Sequence, residues 1–212
     1  MFKFSKGQSV YIMSLATVGV VVGYDFKQWV VIEQTDHQDI YKGIGYNVKI
    51  GNKLYTYEEE DLEFASDKWD LRFIELAELI STWSKDTTKV GAVIVSGKQI
   101  LTTGYNGFPK GVEDSLERIN DRETKLRLTV HAEMNAILQA SQHGINITGS
   151  TIYIFGRMPC KECAKHIVAS GIKQVVFKSN NTKASDEWVA SLPLVKELFS
   201  EAGVACWEVG DE

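Results

Sequence analysis

Four side chains in this sequence have types and spacings that could do chemistry together: His131 and Glu133 in "VHAEMNAIL", and Cys160 and Cys163 in "RMPCKECAKHI". Zinc favours thiolate and imidazole donors, and a C-x-x-C pair closes two positions of its tetrahedron from one short turn. A structural zinc usually takes four protein ligands. Here no second C-x-x-C accompanies the first, and the histidines other than His131 are His37, His143 and His166. With His131 as third ligand the fourth position stays open, which is the catalytic arrangement. Glu133 then gains a task. Only Ala132 separates it from His131, so at a helix start both can border one pocket. A carboxylate there can take a proton from an activated water and deliver it to a substrate. On its own, H-x-E reads as well as a core histidine beside an exposed glutamate; the cysteine pair changes its meaning.

These residues need elements to hold them. The first 65 residues read as strands: "SVYIM", "TVGVVVGYD", "WVVIEQ", "YNVKIG" and "KLYTYEE" are rich in β-branched and aromatic residues, broken by glycine or aspartate. They suggest a small all-β domain of the SH3-like barrel sort, closed by "EEEDLE" as a solvated acidic turn. From Ser66 the period changes. Trp69, Phe73, Leu76 and Ile80 recur at spacings of three and four, flanked by Ile74, Ala77 and Trp83, which predicts an amphipathic helix capped by Ser66 or Asp67. A hairpin of "VGAVIV" and "QILTTGY" follows, then a polar loop from Asn106 to about Asn120 and a helix around His131. After these come strand "TIYIF", a helix from about Cys160, strand "QVVF", helical pieces over 186–201 broken by Pro193, and strand "VACWEV". A hairpin followed by alternating helices and strands predicts an α/β sheet with helices on both faces. The expected domains are 1–65, accessory or regulatory, and 66–212, which carries the chemistry.

Bulk composition narrows the function. Apolar residues make up 44% and charged residues 24% of the 212, an ordinary globular mix, and net charge is −5. That balance argues against a nucleic-acid partner, and so does the N-terminal domain with six Lys/Arg against nine Asp/Glu. Three cysteines are too few and too odd a set for a disulfide framework, which points to a reducing compartment. No signal-peptide pattern and no bilayer-length apolar run is seen, so the expectation is a cytoplasmic protein without membrane contact. His37, His143, His166 and Cys206 read as structural.

"HAE" followed by "PCKEC" is the zinc-deaminase signature, in which activated water attacks C4 of cytosine or C6 of adenine. With "WSKDTTKVGAVIV", "TTGYNGFPKGVED", "MPCKECAKHIVASGIKQVVF" and "SDE", about two thirds of the chain resembles the deoxycytidylate (dCMP) deaminase branch of the cytidine deaminase superfamily. The resemblance implies a three-layer α-β-α domain with a mixed five-stranded sheet. It implies one catalytic zinc per chain on His131, Cys160 and Cys163, with Glu133 as proton shuttle in converting dCMP to dUMP and ammonia. Asn106 would bind the sugar or base, the backbone N–H of Ala132 the pyrimidine carbonyl, and Tyr153 could pack on the base. Lys110, Arg118, Arg122 and Arg127 are the cations available for phosphate or effector. The resemblance further implies a homo-oligomer, with a hexamer as the family's form, regulated by dCTP and dTTP. Residues 107–130 hold no cysteine or histidine, so the second, structural zinc of some relatives is not expected. Another cytosine or adenine substrate (nucleoside, tRNA or single-stranded DNA) or an inactive nucleotide-binding relative stay open as alternatives.

Overall fold

The computed structural model describes residues 68–180 and 184–209, and within the first 67 residues the backbone of five strands. The chain forms two compact units, Met1–Asp67 and Lys68–Glu212.

In the first unit, β1 (Ser9–Ile12), β2 (Thr17–Val30), β3 (Ile40–Ile50), β4 (Lys53–Glu58) and β5 (Leu62–Phe64) form one antiparallel sheet in the order β4-β3-β2-β1-β5. Two expectations change here. "TVGVVVGYD" and the start of "WVVIEQ" are one strand, because the ladder to β3 runs unbroken past Asp25 to Val30 after a bulge at Val21/Gly23. Val31–Gln34 lie outside the described residues. "EEEDLE" does not end as a turn: Leu62 pairs with Ile12 and opens β5.

The second unit is a mixed sheet of five strands in the order β10-β9-β8-β6-β7, formed by β6 (Gly91–Ser96), β7 (Gln99–Tyr105), β8 (Thr151–Gly156), β9 (Gln174–Ser179) and β10 (Ala205–Glu208). β6 runs antiparallel to β7 and β8, while β8, β9 and β10 are parallel. Strand alternation splits the core in two. Val93, Val95, Tyr153 and Val176 face α1 (Lys68–Ser81), whose Phe73, Ile74, Ala77 and Ile80 are buried against them. Ala92, Ile94, Ile152, Ile154, Val175 and Phe177 face the other way. There they meet α4 (Ala132–Gln142), α5 (Lys161–Ala169) and α6 (Asp186–Ala202) through Ala136, Ala164, Ile167, Val195 and Phe199. This is an α/β layered fold with helices on both sheet faces.

Two glycines let the helices approach. A methyl on Gly91 would fall on the Ala77 carbonyl of α1, and one on Gly104 would fall on the Ala132 carbonyl and Ala136 N–H of α4. Three further expectations are corrected. The polar loop ends in α2 (Leu116–Asn120), and α3 (Arg122–Leu128) follows it before His131; neither buries a residue, so neither leaves an apolar period to read. Asp121 starts α3 by accepting the Thr124 N–H at 2.9 Å, an N-cap bond. Pro193 lies inside α6 without ending it: the helix is capped by Ser185 and anchored beyond the proline by buried Val195 and Phe199. Finally α1 ends at Ser81, so Trp83 is exposed and meets Tyr105 edge-on at 6.0 Å. The expected caps of α1, Ser66 and Asp67, lie outside the described residues.

Candidate active site

The starts of α4 and α5 meet on one face of the sheet. His131 is the N-cap of α4 and makes no side-chain cap bond. Its Nδ1 lies instead 3.5 Å from Cys160 Sγ and 3.4 Å from Cys163 Sγ. Cys160 is the N-cap of α5, where its sulfur takes the part of a serine oxygen and accepts the Cys163 N–H at 3.5 Å. The ligand atoms of His131, Cys160 and Cys163 lie within 4.8 Å of one another, the one such group found among the described residues. Two sulfurs and one imidazole at this spacing suit zinc, and three protein donors leave a tetrahedral position over. Both helices point their positive ends at the group, which favours thiolate.

Glu133, in the first turn of α4, is 5% exposed. Burial holds its carboxyl above the ordinary range, opposed by the charge of His131, and it is within hydrogen-bonding reach of the Cys163 sulfur. Without metal, the hydrogen bond to Cys160 lifts His131 to about 9. Cys160 falls to about 4, through its bond with Cys163 and then its bond with His131. Cys163 rises, because Cys160 takes its hydrogen bond and because it is buried. The metal-free group is thus an imidazolium beside one thiolate and one thiol. Ala132 is fully buried, and as first residue of α4 its N–H has no partner within the helix.

Asn106 follows β7 and is buried. Its Oδ1 accepts the Val90 N–H at 2.9 Å, and its Nδ2 donates to the Thr88 carbonyl at 2.9 Å. Tyr153 is not at this site. The alternation of β8 turns it to the α1 face, where its ring packs on Phe73 at 5.0 Å and its hydroxyl donates to Asp70 at 2.9 Å. Lys110, Arg118 and Arg122 lie on the 107–130 insertion; Arg118 donates to the Glu113 carbonyl, and Arg127 pairs with Glu123. His143 caps the end of α4, and exposed His166 bonds the Glu162 carbonyl through Nδ1 at 2.7 Å. Cys206 is half-buried against the core, and His37 lies outside the described residues. Sequence reasoning missed Asn135, whose Nδ2 donates to the Tyr105 carbonyl at 2.8 Å and ties α4 to the end of β7. It also missed Ser84, Asp86 and Lys125, considered below. Their partners are backbone groups or residues distant in sequence, which leave no local pattern.

Fold and site together define a zinc-dependent hydrolase. The chain belongs to the family of the cytidine and deoxycytidylate deaminase zinc-binding region, whose model matches residues 67–179, and it is a zinc-dependent deaminase. A deaminase of Aliivibrio fischeri, described only as lying in the luxG 3′ region, is 39% identical over 138 residues, covering 65% of this chain and 90% of the relative. Human deoxycytidylate deaminase is 37% identical over 144 residues, covering 65% and 77%. The fold matches the dCMP deaminase of cyanophage S-TIM5, solved with dCMP and dUMP, at a TM-score of 0.53 and 23% identity over 68% of this chain and 99% of that one. No helix among the described residues is long and apolar enough to cross a membrane.

Proposed function

We propose that the chain hydrolyses the exocyclic amine of dCMP, giving dUMP and ammonia. The observation that carries this reading is the buried Glu133 carboxyl beside a three-donor His131–Cys160–Cys163 group. Bound there, zinc supplies Lewis acidity that lets water ionise near neutral pH. Glu133 takes one proton from water as its oxygen adds to C4 and passes it to N3 of the pyrimidine. It then takes the second proton of that oxygen and passes it to the amine as the C4–N bond breaks, leaving the C4 carbonyl of dUMP and ammonia. Its burial supports this, since a carboxyl held above its ordinary range is a stronger base that takes a proton from water more readily and can carry it at neutral pH. The Ala132 N–H donates to the C2 carbonyl, and the free valences of the Asn106 carboxamide hold the deoxyribose. Lys110, Arg118 and Arg122 are the cations for the phosphate or for an effector nucleotide.

The dCMP assignment is supported by deoxycytidylate deaminases at 37% identity in human and 32% in Enterobacteria phage T2. On the same likeness the chain is a cytoplasmic homo-oligomer, hexameric in the manner of the family, that responds to dCTP and dTTP. Residues 1–65 form an SH3-like accessory domain, supported by the return of β5 to pair with β1, and residues 66–212 form the deaminase domain. The test is ammonia release from cytidine, CMP, dCMP, dCTP, 5-substituted dCMP, an oligodeoxynucleotide and tRNA, each with and without dCTP and dTTP. Highest kcat/KM on dCMP is expected; a higher value on a nucleoside or a polynucleotide overturns the assignment.

A further inference from the structure

Among the described residues of the second unit, most ion pairs are exposed at both ends, and such pairs contribute little. Lys125–Asp86 differs. Its atoms meet at 3.1 Å with the two side chains 21% and 12% exposed, and it joins α3 of the insertion to the segment 84–90 that runs between α1 and β6. One oxygen of Asp86, Oδ1, also accepts the Thr88 N–H at 2.9 Å and the Thr87 hydroxyl at 3.3 Å. The same segment encloses Asn106. Ser84 Oγ accepts the Asp86 N–H at 3.2 Å and donates to the Asn106 carbonyl at 2.7 Å. The Asn106 N–H donates to the Val90 carbonyl at 3.2 Å, and the Asn106 side chain bonds Thr88 and Val90 as described above.

We infer that Lys125 and Asp86 are positioning residues: their ion pair fixes segment 84–90 and, through it, the orientation of the Asn106 carboxamide at the substrate pocket. A carboxamide can turn about its last torsion, and here the turn is set by two backbone groups two residues apart in sequence. Those groups are in turn set by Asp86, whose oxygen holds the start of the turn, and Asp86 is held by a lysine on a different element. A shift of α3 therefore reaches Asn106 through three consecutive contacts, Lys125 to Asp86, Asp86 to Thr88 and Thr88 to Asn106. This gives the insertion, which buries nothing itself in α2 or α3, a means of acting on the pocket. The sugar contact of Asn106 rests on the proposed reaction; the anchoring of the segment does not.

The experiment compares the full-length zinc enzyme with Lys125→Met, Asp86→Asn, the double variant, and Glu123→Gln, which breaks an exposed pair on the same helix. The KM for dCMP is expected to rise about tenfold in each single variant, with kcat within about twofold and zinc content unchanged. The double variant should be no worse than the worse single one, as for two residues acting as a unit. Independently of substrate, amide exchange at Thr88 and Val90 should quicken about tenfold in the single variants, while Ile94 and Ile154 in the strands stay unchanged. Glu123→Gln should leave both measures at the wild-type value. An unchanged KM, additive single effects, or unaltered exchange at Val90 each overturns the inference. Should the wild-type enzyme not turn over dCMP, the reaction assignment falls and the exchange measurement alone decides this one. Asp86→Asn carries the test if Lys125→Met does not fold.

Discussion

In the proposed reaction Glu133 is the residue on which the chemistry turns, and its burial beside the three donors supports that role. Burying a carboxyl to 5% exposure costs stability, and the raised pKa that results is the kind of shift found where a carboxyl moves protons. Glu133→Gln keeps the shape and the His131–Cys160–Cys163 donors, so metal analysis should find the wild-type zinc content while kcat falls by about 100-fold or more. The donors themselves predict a pH dependence. At pH 7 without metal, His131, raised to about 9, carries a proton that zinc must displace; so does Cys163, whereas Cys160, lowered to about 4, is already ionised. Zinc uptake should therefore release about two protons, and apparent affinity should weaken about 100-fold for each unit the pH falls near neutrality. Calorimetry in buffers of different ionisation enthalpy measures the release directly. At this scale the donors and Glu133 were legible, since zinc and proton transfer each demand particular residue types at particular spacings. Tyr153 is turned away from the donors because its neighbours Ile152 and Ile154 take the face of β8 that packs on α4, α5 and α6, which leaves Tyr153 on the α1 face.

At the scale of elements, activity depends on how closely α4 lies against β7. Gly104→Ala should displace the start of α4, where a methyl would meet the Ala132 carbonyl and the Ala136 N–H. A loss of about 1–3 kcal/mol is expected for such overpacking, with kcat/KM falling further than stability alone explains. Gly97→Ala, in the β6–β7 turn at φ +60° with open space around it, supplies the contrast. It should cost about 1 kcal/mol in urea unfolding and leave turnover unchanged. α1, the hairpin, and the strands and helices from His131 onward were legible from apolar period and turn residues. α2 and α3 were not, for a helix that buries nothing shows no period. Pro193 was read too strictly. It removes one backbone bond from an exposed position, and the apolar face on either side of it still holds α6 to the sheet.

For the whole molecule, both core clusters of the deaminase unit are built from residues between Trp69 and Val209. Deleting residues 1–65 should leave a protein that melts cooperatively and binds about one zinc per chain by metal analysis; an insoluble remainder would show that the first unit is needed for folding. The change of character near residue 66 was visible as a shift from β-rich to helical period, whereas sheet order depends on pairings across long separations that composition does not encode.

The order β10-β9-β8-β6-β7 has one more consequence. β8 is the middle strand, and the zinc donors flank it in sequence, His131 before it and Cys160 and Cys163 after. The metal therefore acts as a clasp across the innermost strand, closing a chain loop that the unfolded protein would otherwise leave open. Chelation should loosen the sheet from its centre outward: protection of Ile152 and Ile154 should drop relative to that of the edge strand β7, so that an enzyme stripped of its catalyst also loses part of the cooperativity that holds its sheet together.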